Sequence, residues 1–249
     1  MRNIWTIAKR EYNHYFISPI AYVVAFIILI TLGIYFASII GFYSRQALLS
    51  GGTQAPDITP INWLFVFLLV FTTPAITMRS LSDEARTGTL ELLLTAPIRD
   101  YELVIGKWLG GFLFILSILA VTLIYPIILN SLVTPGIDQQ LMMSSYLGVI
   151  LAAAAFLALG VGISAIFTNQ IAAFFSIFGL FFTLWFMMGL FSQLVQGSGA
   201  QFFEYLNISG HFTALNSGSF NLTDLVYFIS LTALGLFTGT TAVEVRRWR

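Results

Sequence analysis

Charges along this chain are gathered into clusters, and long uncharged stretches separate them. No formal charge occurs between Glu11 and Arg45, Asp57 and Arg79, Lys107 and Asp138, Asp138 and Glu204, or Asp224 and Glu244. Apolar residues fill these gaps continuously rather than in alternation, which predicts helices and not the strands of a barrel. A helix crosses the ~30 Å hydrocarbon layer in roughly 20 residues. Four gaps each fit one crossing, and the gap over 139–203 fits two, with a break near Thr168, Asn169 and Gln170. The pattern predicts an all-α integral membrane protein forming one domain over 1–249. Six transmembrane helices are expected at about 20–42, 60–78, 105–131, 143–167, 170–195 and 222–243.

The polar stretches have structure of their own. Over 3–16, Arg2, Thr6, Lys9 and Asn13 recur at helical spacing, while Ile4, Ala8, Tyr12 and Tyr15 fall elsewhere on the wheel. This reads as an N-terminal interfacial helix, with Trp5, Tyr12, Tyr15 and Phe16 suited to the headgroup layer. An ordinary basic pre-anchor segment is the alternative. The first apolar run is too long for a signal peptide and no A-x-A site follows it, so it is expected to be a retained anchor. Residues 43–60, with Gly51-Gly52 and two prolines, predict an irregular loop. Residues 196–222 carry five aromatic residues and predict short helices dipping into the interface.

Composition agrees. Of 249 residues, 58% are apolar and 9% charged, against roughly 25% charged in soluble proteins. Mean hydropathy is +0.89. A soluble domain of this size could not cover so much apolar surface. Net charge is zero, which gives no field for a nucleic-acid partner. No cysteine is present, so disulfides, thiolate metal sites and a cysteine nucleophile are excluded. With six crossings, ten of the eleven Lys and Arg residues fall on one side and only Arg45 on the other. That bias predicts cytoplasmic N- and C-termini.

Nine of the 22 charges lie within the 29 residues 79–107, between spans two and three. On a helical wheel Glu84, Thr87, Gly88, Glu91 and Thr95 share one face, with Ala85, Leu92, Leu93 and Ala96 roughly opposite. Ser80 or Ser82 could cap the start and Pro97 would end it. A short amphipathic helix is expected, its acidic face turned to the cytoplasm. Taken alone, wheel geometry favours a solvated linker helix that merely joins two spans.

Familiar reactive motifs are missing. His14 and His211 stand alone at opposite ends of the sequence. Gly162-Ile163-Ser164-Ala165-Ile166 fails the G-x-S-x-G pattern at its last position, so Ser164 reads as a small packing residue between helices. Gly106-Lys107 resembles the end of a P-loop, but Tyr101 and Trp108 occupy its defining positions. Lys107 itself is expected to snorkel at the mouth of span three. Gly106 with Gly110, and Gly235 with Gly239, are G-x-x-x-G spacings that could serve helix contacts within or between subunits. Pro74 and Pro126 predict kinks. Active transport by this chain would need work supplied by another subunit. A stand-alone channel or secondary carrier is the alternative.

Residues 84–97, Glu-Ala-Arg-Thr-Gly-Thr-Leu-Glu-Leu-Leu-Leu-Thr-Ala-Pro, resemble the E-x-x-x-G-T-L-E-x-L-L-x-x-P signature of ABC-2 type permeases. Ile98-Arg99, Glu102 and Gly106-Lys107 continue the match. Together with the N-terminal arm, the six spans and the stretch before span six, the resemblance covers the whole chain. Among sub-types it is most similar to gliding-motility and nitrous-oxide-reductase-accessory permeases. It implies a half-transporter in a prokaryotic cell membrane, paired as a homodimer or heterodimer with a second permease protomer. It further implies a separate ABC ATPase subunit holding ATP and Mg, with no cofactor in this chain. Glu84, Gly88, Thr89, Leu90, Glu91, Leu94 and Pro97 would form the coupling helix that receives nucleotide-driven motion. On that reading Glu84 and Glu91 would pair with the ATPase, Gly88 would permit its close approach, and the N-terminal helix would act as a second lever. The substrate is not readable from the residues.

Overall fold

A computed structural model describes residues 2–50, 57–88, 98–133 and 136–247. The described residues are helical, with no strand. Helix α1 (Arg2–Tyr15) precedes span one, α2 (Pro19–Ser50). Span two is α3 (Thr59–Thr77), followed by the short α4 (Ser82–Thr87). Span three is α5 (Asp100–Thr122) continued by α6 (Ile124–Leu132), and span four is α7 (Gln139–Ile166). Span five joins α8 (Gln170–Phe182), one π-helical turn (Thr183–Met187) and α9 (Met188–Leu194). Helices α10 (Ser198–Leu206) and α11 (Ile208–Asn216) lead into span six, α12 (Leu222–Arg247). Among the described residues, six helices are long and apolar enough to cross a membrane.

Span four is the hub. Its central stretch is 72% buried, against 22% for spans one and five. Lipid gives no hydrophobic drive between helices, so small residues that admit a close neighbour decide the packing. A Cβ on Gly162 would collide with the Gly235 carbonyl, one on Gly235 with the Ala158 backbone, and one on Gly160 with Thr77. The second G-x-x-x-G pair is thus occupied by span four of the same chain. Polar ties reinforce these contacts: Asn62 Nδ2 donates to Ser145 Oγ at 2.9 Å, and Trp108 Nε1 to Ala154 O at 3.0 Å.

Span one runs further than its apolar stretch predicts. Residues 43–50, expected to be irregular, continue α2 to Ser50. Ala, Leu, Gln and Arg are good helix formers there, and Gly51-Gly52 follow. The two prolines behave differently. Helix α3 continues through Pro74. At Pro126 the helix breaks a few residues earlier, between Thr122 and Ile124. Proline has no N–H for the carbonyl four residues back. That carbonyl, Thr122 O, accepts instead from Tyr146 Oη at 3.0 Å.

Asn169 marks the break expected between spans four and five. Its side chain accepts from Ile171 N and Ala172 N and so caps α8. Near the other face of the bundle, His211 is not alone. Its Nδ1 lies 2.6 Å from Asp224 Oδ1, its Nε2 lies 2.9 Å from Tyr205 O, and its ring stacks on Tyr227 at 4.0 Å. A carbonyl can only accept, so Nε2 carries a proton, and one more proton lies between Nδ1 and the carboxyl.

Candidate functional site

The segment after span two starts on a borrowed cap. Leu81 N and Ser82 N both donate to Ser164 Oγ at 3.2 Å, and that hydroxyl donates to Met78 O at 3.2 Å. The first N–H groups of a helix need such a partner. Neither Ser80 nor Ser82 supplies it; the Ser82 hydroxyl turns back to the Met78 carbonyl. Ser164, expected only to fill space, joins the start of α4 to the end of span four. The helix is also shorter than the wheel suggests. It ends at Thr87, and Gly88 follows with φ +75° and ψ −1°. This is a left-handed helix stop, which favours glycine. Within the described chain no atom lies within 4 Å of where a Gly88 Cβ would stand, so conformation, not crowding, calls for glycine. Of the seven expected coupling residues, Glu84 and Gly88 are placed. Thr89, Leu90, Glu91, Leu94 and Pro97 lie outside the described residues.

Glu84 does not face outward as the wheel suggests. Its Oε1 sits 2.9 Å from Lys107 Nζ. The same ammonium lies 3.1 Å from Glu11 Oε1, while Arg10 lies 3.0 Å from Glu11 and 3.7 Å from Glu84. Two cations and two carboxylates thus form a neutral knot that joins α1, α4 and α5. The Lys107 side chain is 2% exposed, so it does not snorkel. Helix α1 covers it, and the two glutamates supply the countercharge without which a buried ammonium would be costly. Burial pushes the Glu11 carboxyl up, but Lys107 and Arg10 outweigh that and hold it below its ordinary value.

The first G-x-x-x-G pair makes the seat for α1. A Cβ on Gly106 would lie 2.7 Å from Ile7 Cβ, and one on Gly110 would lie 2.6 Å from Glu11 Cβ. Ala8 is fully buried there, Tyr12 Oη bonds Ser117 Oγ at 2.9 Å, and Tyr15 stacks on Phe114. Trp5 and Phe16 stay exposed. The N-terminal helix is therefore clamped to span three along one face. Around it, Asn3 Nδ2 donates to Glu102 Oε2 at 3.1 Å and Arg99 N to the same oxygen at 3.1 Å. Arg247 meets Asp100 at 2.6 Å, and Arg246 donates to Ile166 O at 3.1 Å. Asp83 is held by Arg86 at 3.0 Å and by Gln170 Nε2. One end of the bundle thus carries several polar clusters that tie together both terminal helices, α4 and the ends of spans three, four and five.

A model of the family described as ABC-2 family transporter protein matches residues 5–245. The chain belongs to the ABC-2 transporter family. No curated protein matches it. An ABC-2 permease is the membrane component of an ABC transporter, which fits the six-span architecture. Within this permease the structure brings Glu84 together with Arg10, Glu11 and Lys107, residues that sequence reasoning had left apart. One signal was available, since a lysine just inside an apolar span needs a countercharge or a route to water. Ser164 gave no such signal. Neither did the partnership of His211 with Asp224, because it depends on how α11 folds back over α12.

Proposed function

We propose that this permease is an export-type half-transporter driven by ATP hydrolysis on a separate ABC ATPase subunit, with both termini and the 79–107 segment on the cytoplasmic side of a prokaryotic cell membrane. The second protomer is a like permease, identical or related. The gliding-motility and nitrous-oxide-reductase-accessory type is our favoured sub-type. Residues Glu84, Gly88, Thr89, Leu90, Glu91, Leu94 and Pro97 form the coupling element. A single observation carries this reading: the buried Lys107 ammonium, held by Glu84 of the coupling segment and Glu11 of the N-terminal helix. A push on α4 reaches span three through Lys107, span four through Ser164 and the N-terminal helix through Arg10. Glu84 serves inside this linkage. Contact with the ATPase falls to the later part of the segment, Glu91 above all. The aromatic ladder of Trp63, Phe67 and Phe71 on span two with Phe178, Phe182 and Phe186 on span five suits an apolar or amphipathic path.

The natural chain lacks cysteine, so an introduced thiol is unique. Glu91→Cys should cross-link to the ATPase in the assembled transporter and react with an impermeant reagent only from the cytoplasmic side. Labelling from outside the cell, or flux through liposomes holding this chain alone, would overturn the reading.

A further inference from the structure

Span five is tied to α4 by one side chain. Gln170, the first residue of α8, donates through Nε2 to Asp83 Oδ1, the oxygen that Arg86 also holds at 3.0 Å. The two residues are 87 apart in sequence. Asn169 already caps α8, so the Gln170 side chain is free for this tie rather than needed to start the helix. Elsewhere span five is lightly held. Its central stretch is 22% buried. Helix α8 buries Ala173, Ile177 and Phe181, a single stripe at intervals of four, and α9 buries no residue. Between them the π-helical turn Thr183–Met187 interrupts the regular backbone bonding. Trp185 is the buried residue of that turn, its ring 6.1 Å from Trp63, 6.3 Å from Phe156 and 6.2 Å from Phe212. The middle of span five is therefore pinned, and the start of α8 is gripped by α4.

We propose that α4 moves α8 through Gln170, and that α8 pivots on the π-helical turn at Trp185. The inference rests on the coupling reading of α4 and adds span five to the elements that α4 drives. Gln170 is a positioning residue: it acts by passing the displacement of Asp83 to the start of α8. A helix of thirteen residues is about 20 Å long. A tilt about Trp185 thus moves the Gln170 end most and Phe181 least. Lipid around the exposed faces gives no hydrophobic drive to hold α8 against its neighbours, so a single stripe of buried residues can shift. Phe178 then leaves Phe71, 5.6 Å away at rest, while Phe186 keeps its place beside Phe67. The ring ladder between spans two and five opens at the α4 end and stays closed at the other.

Spin labels test this in the transporter assembled with its ATPase, compared without nucleotide and with Mg and a non-hydrolysable ATP analogue. Because the chain lacks cysteine, Thr87→Cys, Gly179→Cys and Leu194→Cys each carry one label, on α4, on α8 and beyond the pivot. Gly179 and Leu194 are exposed, and no atom of the described chain lies within 4 Å of where a Gly179 Cβ would stand. Nucleotide should change the mobility spectrum at Thr87 and Gly179 and leave that at Leu194 unchanged. Gln170→Leu should abolish the Gly179 response and keep the Thr87 response. Gln170→Glu, which sets a carboxylate against Asp83, should do the same. Adding Asp83→Asn, whose amide donates to the new carboxylate, should restore the response. A Thr87 label that ignores nucleotide would refute the coupling reading and this inference with it. With Thr87 responding, a silent Gly179 label, an undiminished Gly179 response in Gln170→Leu, no recovery in the double variant, or an equal response at Leu194 would each overturn this inference alone.

Discussion

At the end of the bundle that carries α1 and α4, four ionised side chains close on one another and a further ion pair, Arg247 with Asp100, ties span six to span three. At the other end, α10 and α11 rest on span six through one histidine–aspartate pair and a group of rings. Both ends bury ionisable side chains, but the two arrangements differ in reach. The His211 pair closes locally, between residues thirteen apart in sequence. The Lys107 knot joins segments that are remote in sequence, since Glu11 and Lys107 are 96 residues apart. A short-range pair can fix a cap in place. A long-range knot ties three elements to one another.

Lys107→Met should be the most damaging change. It strips the countercharge from Glu11 and Glu84, and breaking a buried pair from one side costs about 3–5 kcal/mol. The purified variant should unfold at a markedly lower temperature, and α1 should become accessible to protease. A variant as stable as wild type would erase the distinction between the two ends. Gly110→Val comes next. Its side chain would meet Glu11 Cβ and the Ala8 carbonyl, and overpacking of this kind costs about 1–3 kcal/mol. Lower stability together with weaker coupling is expected.

His211→Phe sharpens the contrast. It keeps the ring on Tyr227 but takes the partner from Asp224, whose Oδ2 already lacks a hydrogen bond among the described residues. A loss of about 1–3 kcal/mol is expected, with ATP hydrolysis by the assembled transporter unchanged. A clear loss of hydrolysis in this variant would show that both ends take part. The smallest effect concerns pH. Folding lowers the Glu11 pKa below its ordinary 4.5, so the native carboxyl binds a proton less readily than the unfolded one. Its contribution is therefore complete above pH 4.5 and is lost as pH falls through the depressed value. Between pH 8 and 5, about the range where a glutamate stays ionised, wild type and Glu11→Gln should differ in melting temperature by a constant amount. The gap should narrow only in more acid solution.

Much of this architecture was legible in the sequence because lipid imposes a simple rule: spans are apolar and continuous. The charge gaps placed six crossings, and Asn169 marked the break inside the longest gap. Errors arose where a polar group met a distant partner. Glu84 looked outward on a wheel because a wheel holds one helix, and its partner lies on span three. Lys107 looked able to snorkel because nothing in the sequence places α1 above it. Ser164 looked like filler because the helix start that it caps is more than eighty residues away. Residues 43–50 looked irregular because the apolar run ends before them, although their helix propensity carries α2 onward to Ser50. The G-x-x-x-G spacings were visible, but spacing alone could not tell a subunit contact from the intrachain seats they form for α1 and span four.

Whether Glu84 and Lys107 act as one linkage is decided by a charge-reversal cycle on ATP hydrolysis by the assembled transporter, comparing Glu84→Lys, Lys107→Glu and the double variant with wild type. Each single reversal should uncouple hydrolysis, and the double variant, which restores a balanced knot with Arg10 and Glu11, should recover most of it. Additive losses in the double variant, or single variants that hydrolyse ATP at the wild-type rate, would contradict the linkage.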